Sequence, residues 1–62
     1  ALRLMFERAI AARSSVAQVL EVQRDFRRES QRRILTHADL LLLEQRIRAR
    51  CGALRRAAPD PG

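Results

Sequence analysis

Residues 27–43, RRESQRRILTHADLLLL, decide how this chain is read. Seven residues without an apolar side chain run into a segment that closes on four leucines. The arginine half is either a grip for nucleic acid or the solvated end of a helix whose docking part is the leucines. Charge spacing separates the two. Glu21, Asp25 and Glu29 recur every four residues, and so do Arg24, Arg28 and Arg32. Each acid then meets an arginine three residues on, and Glu29 reaches Arg33 four on. Pairs of this kind stabilise a helix by about 0.2–0.5 kcal/mol each and describe a solvated face. A nucleic-acid grip wants basic side chains aimed at phosphates, often with aromatic rings for stacking. The chain has only two aromatic residues, Phe6 and Phe26, and both fall at apolar positions. The arginine run reads as helix surface.

The leucines carry the opposite message. At 100° per residue, four consecutive positions sweep about 300° of a helix, whereas one packing partner covers a stripe of little more than about 100°. Leu40, Leu43, Ile47, Cys51 and Leu54 form one such stripe, and Leu41 and Leu42 point away from it. A two-helix hairpin covers the first stripe only, so the second wants another chain. The expectation is a docking surface for a helical protein partner or a further copy of the chain. The expected partner-binding residues are Leu40, Leu41, Leu43, Ile47 and Leu54 on this arm, with Met5, Val19 and Phe26 on the other.

Outward from this stretch the chain is uniformly helix-forming. Residues 1–51 contain neither glycine nor proline and are dominated by alanine, leucine, arginine, glutamate and glutamine. Breaks must therefore come from caps. Ser15-Val16-Ala17-Gln18 fits the capping box, and Thr36-His37-Ala38-Asp39 is a looser version of it. These signals predict an all-α fold: a helical hairpin of two or three helices over about 2–13, 15–34 and 37–57, packing into a bundle or coiled coil with partner helices. The first arm is 1–34, with a break at 14–15 that a single bent helix would lack, and the second arm is 35–58. Gly52 offers an early end to the last helix, Pro59 forbids its extension, and 59–62 reads as a flexible tail.

A heptad count supports two arms. With Leu2 as position a, the a and d sites are apolar through Val19. They fail together at Ser30, Arg33 and His37, then recover at Leu40, Ile47, Cys51 and Leu54. One continuous coiled coil does not tolerate three consecutive failures. A polar elbow between two apolar arms does. On the first helix Leu2, Met5, Phe6, Ala9 and Ile10 make a wide apolar face with Arg3, Glu7 and Arg8 outside it. A helix–turn–helix reading has little behind it, because the elbow lacks the usual glycine.

Composition bounds the rest. Sixty-two residues make one small domain, and a core of this size rarely supplies more than about 3–5 kcal/mol without a staple. Thirteen arginines against no lysine, beside ten alanines, have their simplest cause in GC-rich coding, so the net charge of +6 is weak testimony about partners. The first residues, ALRLMFERAIAARSS, have the composition of a mitochondrial transit peptide. A start on alanine and an end on PDPG read instead as a fragment of a longer protein. A lone Cys51 forms no internal disulfide, which favours a reducing, intracellular setting, cytoplasmic or nuclear. No apolar run approaches the roughly 20 residues of a membrane span.

Catalytic chemistry finds no footing. His37 has no second histidine, and Cys51 lies fourteen residues beyond it, too far along a helix for a shared metal. No glycine-rich phosphate or oxyanion loop exists. The reading excludes an enzyme, a cofactor, a metal and a small-molecule substrate. It leaves a protein-interaction or assembly segment, such as a scaffold piece of a large viral or cytoplasmic protein. Its rival is an arginine-rich nucleic-acid-binding helix using Arg46, Arg48, Arg50, Arg55 and Arg56, which have only Glu44 nearby in sequence.

Overall fold

A computed structural model describes residues 2–57, and every regular element in it is a helix. Helix α1 spans Leu2–Ala12, α2 Val16–Gln31 and α3 His37–Ala57. The break at Ser14–Ser15 is real: the first arm is two helices, not one bent one. At Ser15 the backbone is extended (φ −137°, ψ 153°), and its side chain accepts a hydrogen bond from the Gln18 amide. The Gln18 side chain returns to the Ser14 amide at 3.3 Å. The second box closes in full. Thr36 Oγ1 accepts from the Asp39 amide at 3.1 Å, and Asp39 Oδ2 accepts from the Thr36 amide at 3.4 Å. Each box satisfies donors that a helix start leaves open.

Helix α2 stops at Gln31, short of the expected residue 34, because its C-terminus is a Schellman turn. The Arg33 amide donates to the Ser30 carbonyl at 3.0 Å and the Ile34 amide to the Glu29 carbonyl at 3.2 Å. Arg33 sits at the left-handed position with φ 61°, where glycine would be free of the Cβ penalty. The elbow does without its usual glycine by straining an arginine. Helix α3 runs through Gly52 to Ala57, the expected end, and the early stop that glycine offered is not used. The expected tail at 59–62 lies outside the described residues.

The helices form an up-down-up bundle. Short connections at 13–15 and 32–36 turn α2 antiparallel to both neighbours, and cross-contacts fix α1 parallel to α3. Along those two helices Arg3 lies near Asp39, Glu7 near Arg46, and the Arg13 carbonyl under Arg50. Between them runs one core of nine buried residues. Phe6 and Ile10 come from α1, Val19, Val22 and Phe26 from α2, Leu43, Ile47 and Cys51 from α3, and Leu35 from the elbow. The three- and four-residue spacings are those of a single helical face. At its centre Phe6 and Phe26 meet edge to face, centroids 6.0 Å apart and planes at 70°. That geometry contributes about 0.5–1.5 kcal/mol beyond the area buried.

Candidate functional site

Of the residues expected to bind a partner, Val19, Phe26, Leu43 and Ile47 are buried in the chain's own core. They hold the bundle together and are not presented to another molecule in this conformation. Leu40 and Leu54 are half-buried at its edge. Leu41 and Met5 are on the surface, 57% and 54% exposed. The four-leucine run is thus divided: Leu43 inside, Leu40 and Leu42 half-covered, Leu41 out. A two-helix hairpin would leave more of this run open, but α1 folds back along α3 as a third helix and adds cover. Leu42 shares the flank of α3 that carries Asp39 and Arg46, both of which meet α1.

The arginines are placed differently from their sequence spacing. Among the described residues none of the expected pairs along α2 comes within 4 Å; the ion pairs mostly join helices instead. Arg27 of α2 grips Glu44 of α3 through two hydrogen bonds of 2.8 and 3.0 Å, and Gln23 adds a third at 3.0 Å. The hydrogen bond from Arg27 holds the Glu44 carboxyl below its ordinary value of 4.5. Burial opposes this, while Gln23 and the charges of Arg27 and Arg48 add to it. The same bond raises the Arg27 guanidinium. Glu7 of α1 lies 3.6 Å from both Arg3 and Arg46. Arg50 donates to the Arg13 carbonyl. Of the five arginines of the rival reading, Arg46 and Arg50 therefore take part in holding α1 against α3, while Arg48, Arg55 and Arg56 are exposed.

No chemical centre emerges among the described residues. No three His, Cys, Asp or Glu side chains gather closely enough to hold a metal, and no buried side-chain nitrogen or oxygen lacks a hydrogen-bond partner. Cys51 is a buried free thiol on the core face of α3. No described helix is long and apolar enough to cross a membrane.

Among the described residues two hollows of about 450 Å³ open on the surface, and the more apolar one is a groove between α1 and α3. Leu4 and Ala11 line it from α1, and Ala49 and Ala53 from α3; Arg8, Arg46 and Arg50 stand along it, with Glu7 between the helices. Its surface is mostly apolar, and Leu4 is 43% exposed. The sequence reading did not single out Leu4, Arg8, Ala11, Ala49 or Ala53. A signal was present: Leu4, Arg8 and Ala11 stand at i, i+4 and i+7, and Leu42, Arg46, Ala49 and Ala53 at i, i+4, i+7 and i+11. Alanine marks such a stripe weakly, because it suits core and surface alike. Compared with protein-family models, with curated proteins and with solved structures, the chain matches none of them.

Proposed function

We propose that this chain is a non-enzymatic protein-interaction module that docks apolar helix surface onto a partner helix. The observation that supports it is the groove between α1 and α3. The bundle closes its own core and still leaves a concave, mostly apolar strip open along two helices. Apolar concavities between helices are where amphipathic helices seat. The exposed Leu41 and Met5 give the same module further apolar surface on other sides. The nucleic-acid reading draws less support: both phenylalanines are buried against each other, which leaves neither phenyl ring for a base to stack on.

Selection of binders from a random helix-presenting peptide library tests this. Binders are expected to lose affinity when Leu4 or Leu41 is replaced by glutamate, and to hold it from low to physiological salt. Binders that ignore both substitutions, or whose affinity collapses as salt rises, would sink the reading, since steep salt dependence marks phosphate contacts.

A further inference from the structure

The geometry points to an acidic amphipathic helix of another protein as the occupant of the α1–α3 groove. The inference rests on the interaction reading and adds the chemistry of the partner. Leu4, Ala11, Ala49 and Ala53 line the groove without a polar atom in their side chains, so the face that enters must be apolar. The alanines let an incoming backbone approach closely. Because α1 and α3 run in the same direction, the cleft between them follows the eleven residues of α1, about 16 Å or three helical turns, and a helix lying along it would be a fourth member of the bundle.

Charge selects the partner. Three arginines stand along this groove against one acid, Glu7. Glu7 is shared between Arg3 and Arg46, each at 3.6 Å, so it neutralises neither fully. Arg50 spends its hydrogen bonds on a neutral carbonyl and keeps its charge. Arg8 has no acidic side chain within 4 Å among the described residues. An apolar strip edged by cations is complementary to a helix whose leucine-like face is edged by glutamate or aspartate. A second copy of this chain fits badly. Each copy carries +6, and α2, which holds three of the acids, also holds Arg24, Arg27 and Arg28. Nucleic acid fits badly too, since the lining offers alkyl groups where bases need rings.

The test uses the 62-residue chain, isotope-labelled for amide NMR, at physiological salt. The probe is a designed peptide of about 18 residues, five helical turns, with leucines at i, i+3 and i+7 flanked by glutamates. Three comparisons accompany it: the same leucines flanked by lysines, the same glutamates with serine for leucine, and a short duplex DNA. The leucine–glutamate peptide is expected to bind about tenfold more tightly than any of the others, shifting the amides of Leu4, Ala49 and Ala53. Leu4→Glu and Arg8→Glu, both at exposed positions and checked for helix content, each weaken it by about tenfold, the loss typical of a central contact. Leu20→Glu on α2 leaves binding unchanged. Equal or tighter binding of the lysine peptide in the groove overturns the acidic partner and leaves the interaction reading standing. Equal binding of the serine peptide or of DNA overturns docking itself. If no peptide perturbs the groove, the proposal and the reading beneath it both fall.

Discussion

Arg50 reaches thirty-seven residues back along the chain and caps the end of α1, donating from Nη2 at 2.8 Å and from Nε at 3.3 Å to the carbonyl oxygen of Arg13. Helix α1 has no basic residue in its own last turn, so beside Arg13, which directly follows it, Arg50 of α3 brings positive charge to its C-terminal dipole. The bond also fixes the parallel register of the two helices. Arg50→Met keeps the alkyl stem and removes the cap. Stability is expected to fall by about 1 kcal/mol, with faster amide exchange at the end of α1 than in α2. Unchanged exchange at residues 10–13 would show that the register is held by the core alone.

Ser15→Ala tests the break between α1 and α2. The loss of the N-cap bond to Gln18, 3.2 Å long, is expected to cost about 1 kcal/mol in chemical denaturation. Were the arm one bent helix, the same substitution would stabilise it, because alanine is the better interior residue.

Two substitutions are expected to stabilise. Arg33→Gly relieves the left-handed residue of the Schellman turn (φ 61°). It should raise stability by about 0.5–1 kcal/mol after the extra entropy of glycine in the unfolded chain is deducted. Gly52→Ala removes a glycine from the interior of α3 for a similar gain of about 0.5–1 kcal/mol. There a new Cβ would meet only the end of the Arg56 side chain, at 3.4 Å, and that end can move. Thermal melts of the two variants and of their combination would check both.

Glu44 ties the bundle to acid pH. Its carboxyl is held below 4.5 in the folded chain, so protonation is harder folded than unfolded. The stability it contributes is fully present above pH 4.5 and is lost as pH falls below that value through the folded pKa. Glu44→Gln is expected to lower stability at neutral pH and to flatten the acid limb of the curve relative to the parent chain. Parallel curves for the two proteins would mean that the pair with Arg27 adds nothing to folding.

The sequence by itself determined the local structure. Alanine, leucine and arginine without glycine or proline made every long described segment helical, and the boxes at Ser15 and Thr36 set two helix starts to within one residue. Both signals act within four residues, where the covalent chain already holds the partners together. The end of α2 was legible only to within three residues, because Arg33 adopts a conformation that the residue type does not advertise. Tertiary structure alone decided which partners meet. Spacing along α2 paired its acids with its own arginines. Folding pairs Arg27 with Glu44 and Arg46 with Glu7 instead, across the seams between helices. An exposed pair along one helix offers only a few tenths of a kcal/mol, too little to hold Arg24, Arg28 or Arg32 against the rotamer freedom of a long solvated side chain. The groove likewise left only a weak mark on each helix taken alone. Leu4 and Ala53 lie forty-nine residues apart, and only the return of α1 along α3 makes them two sides of one surface.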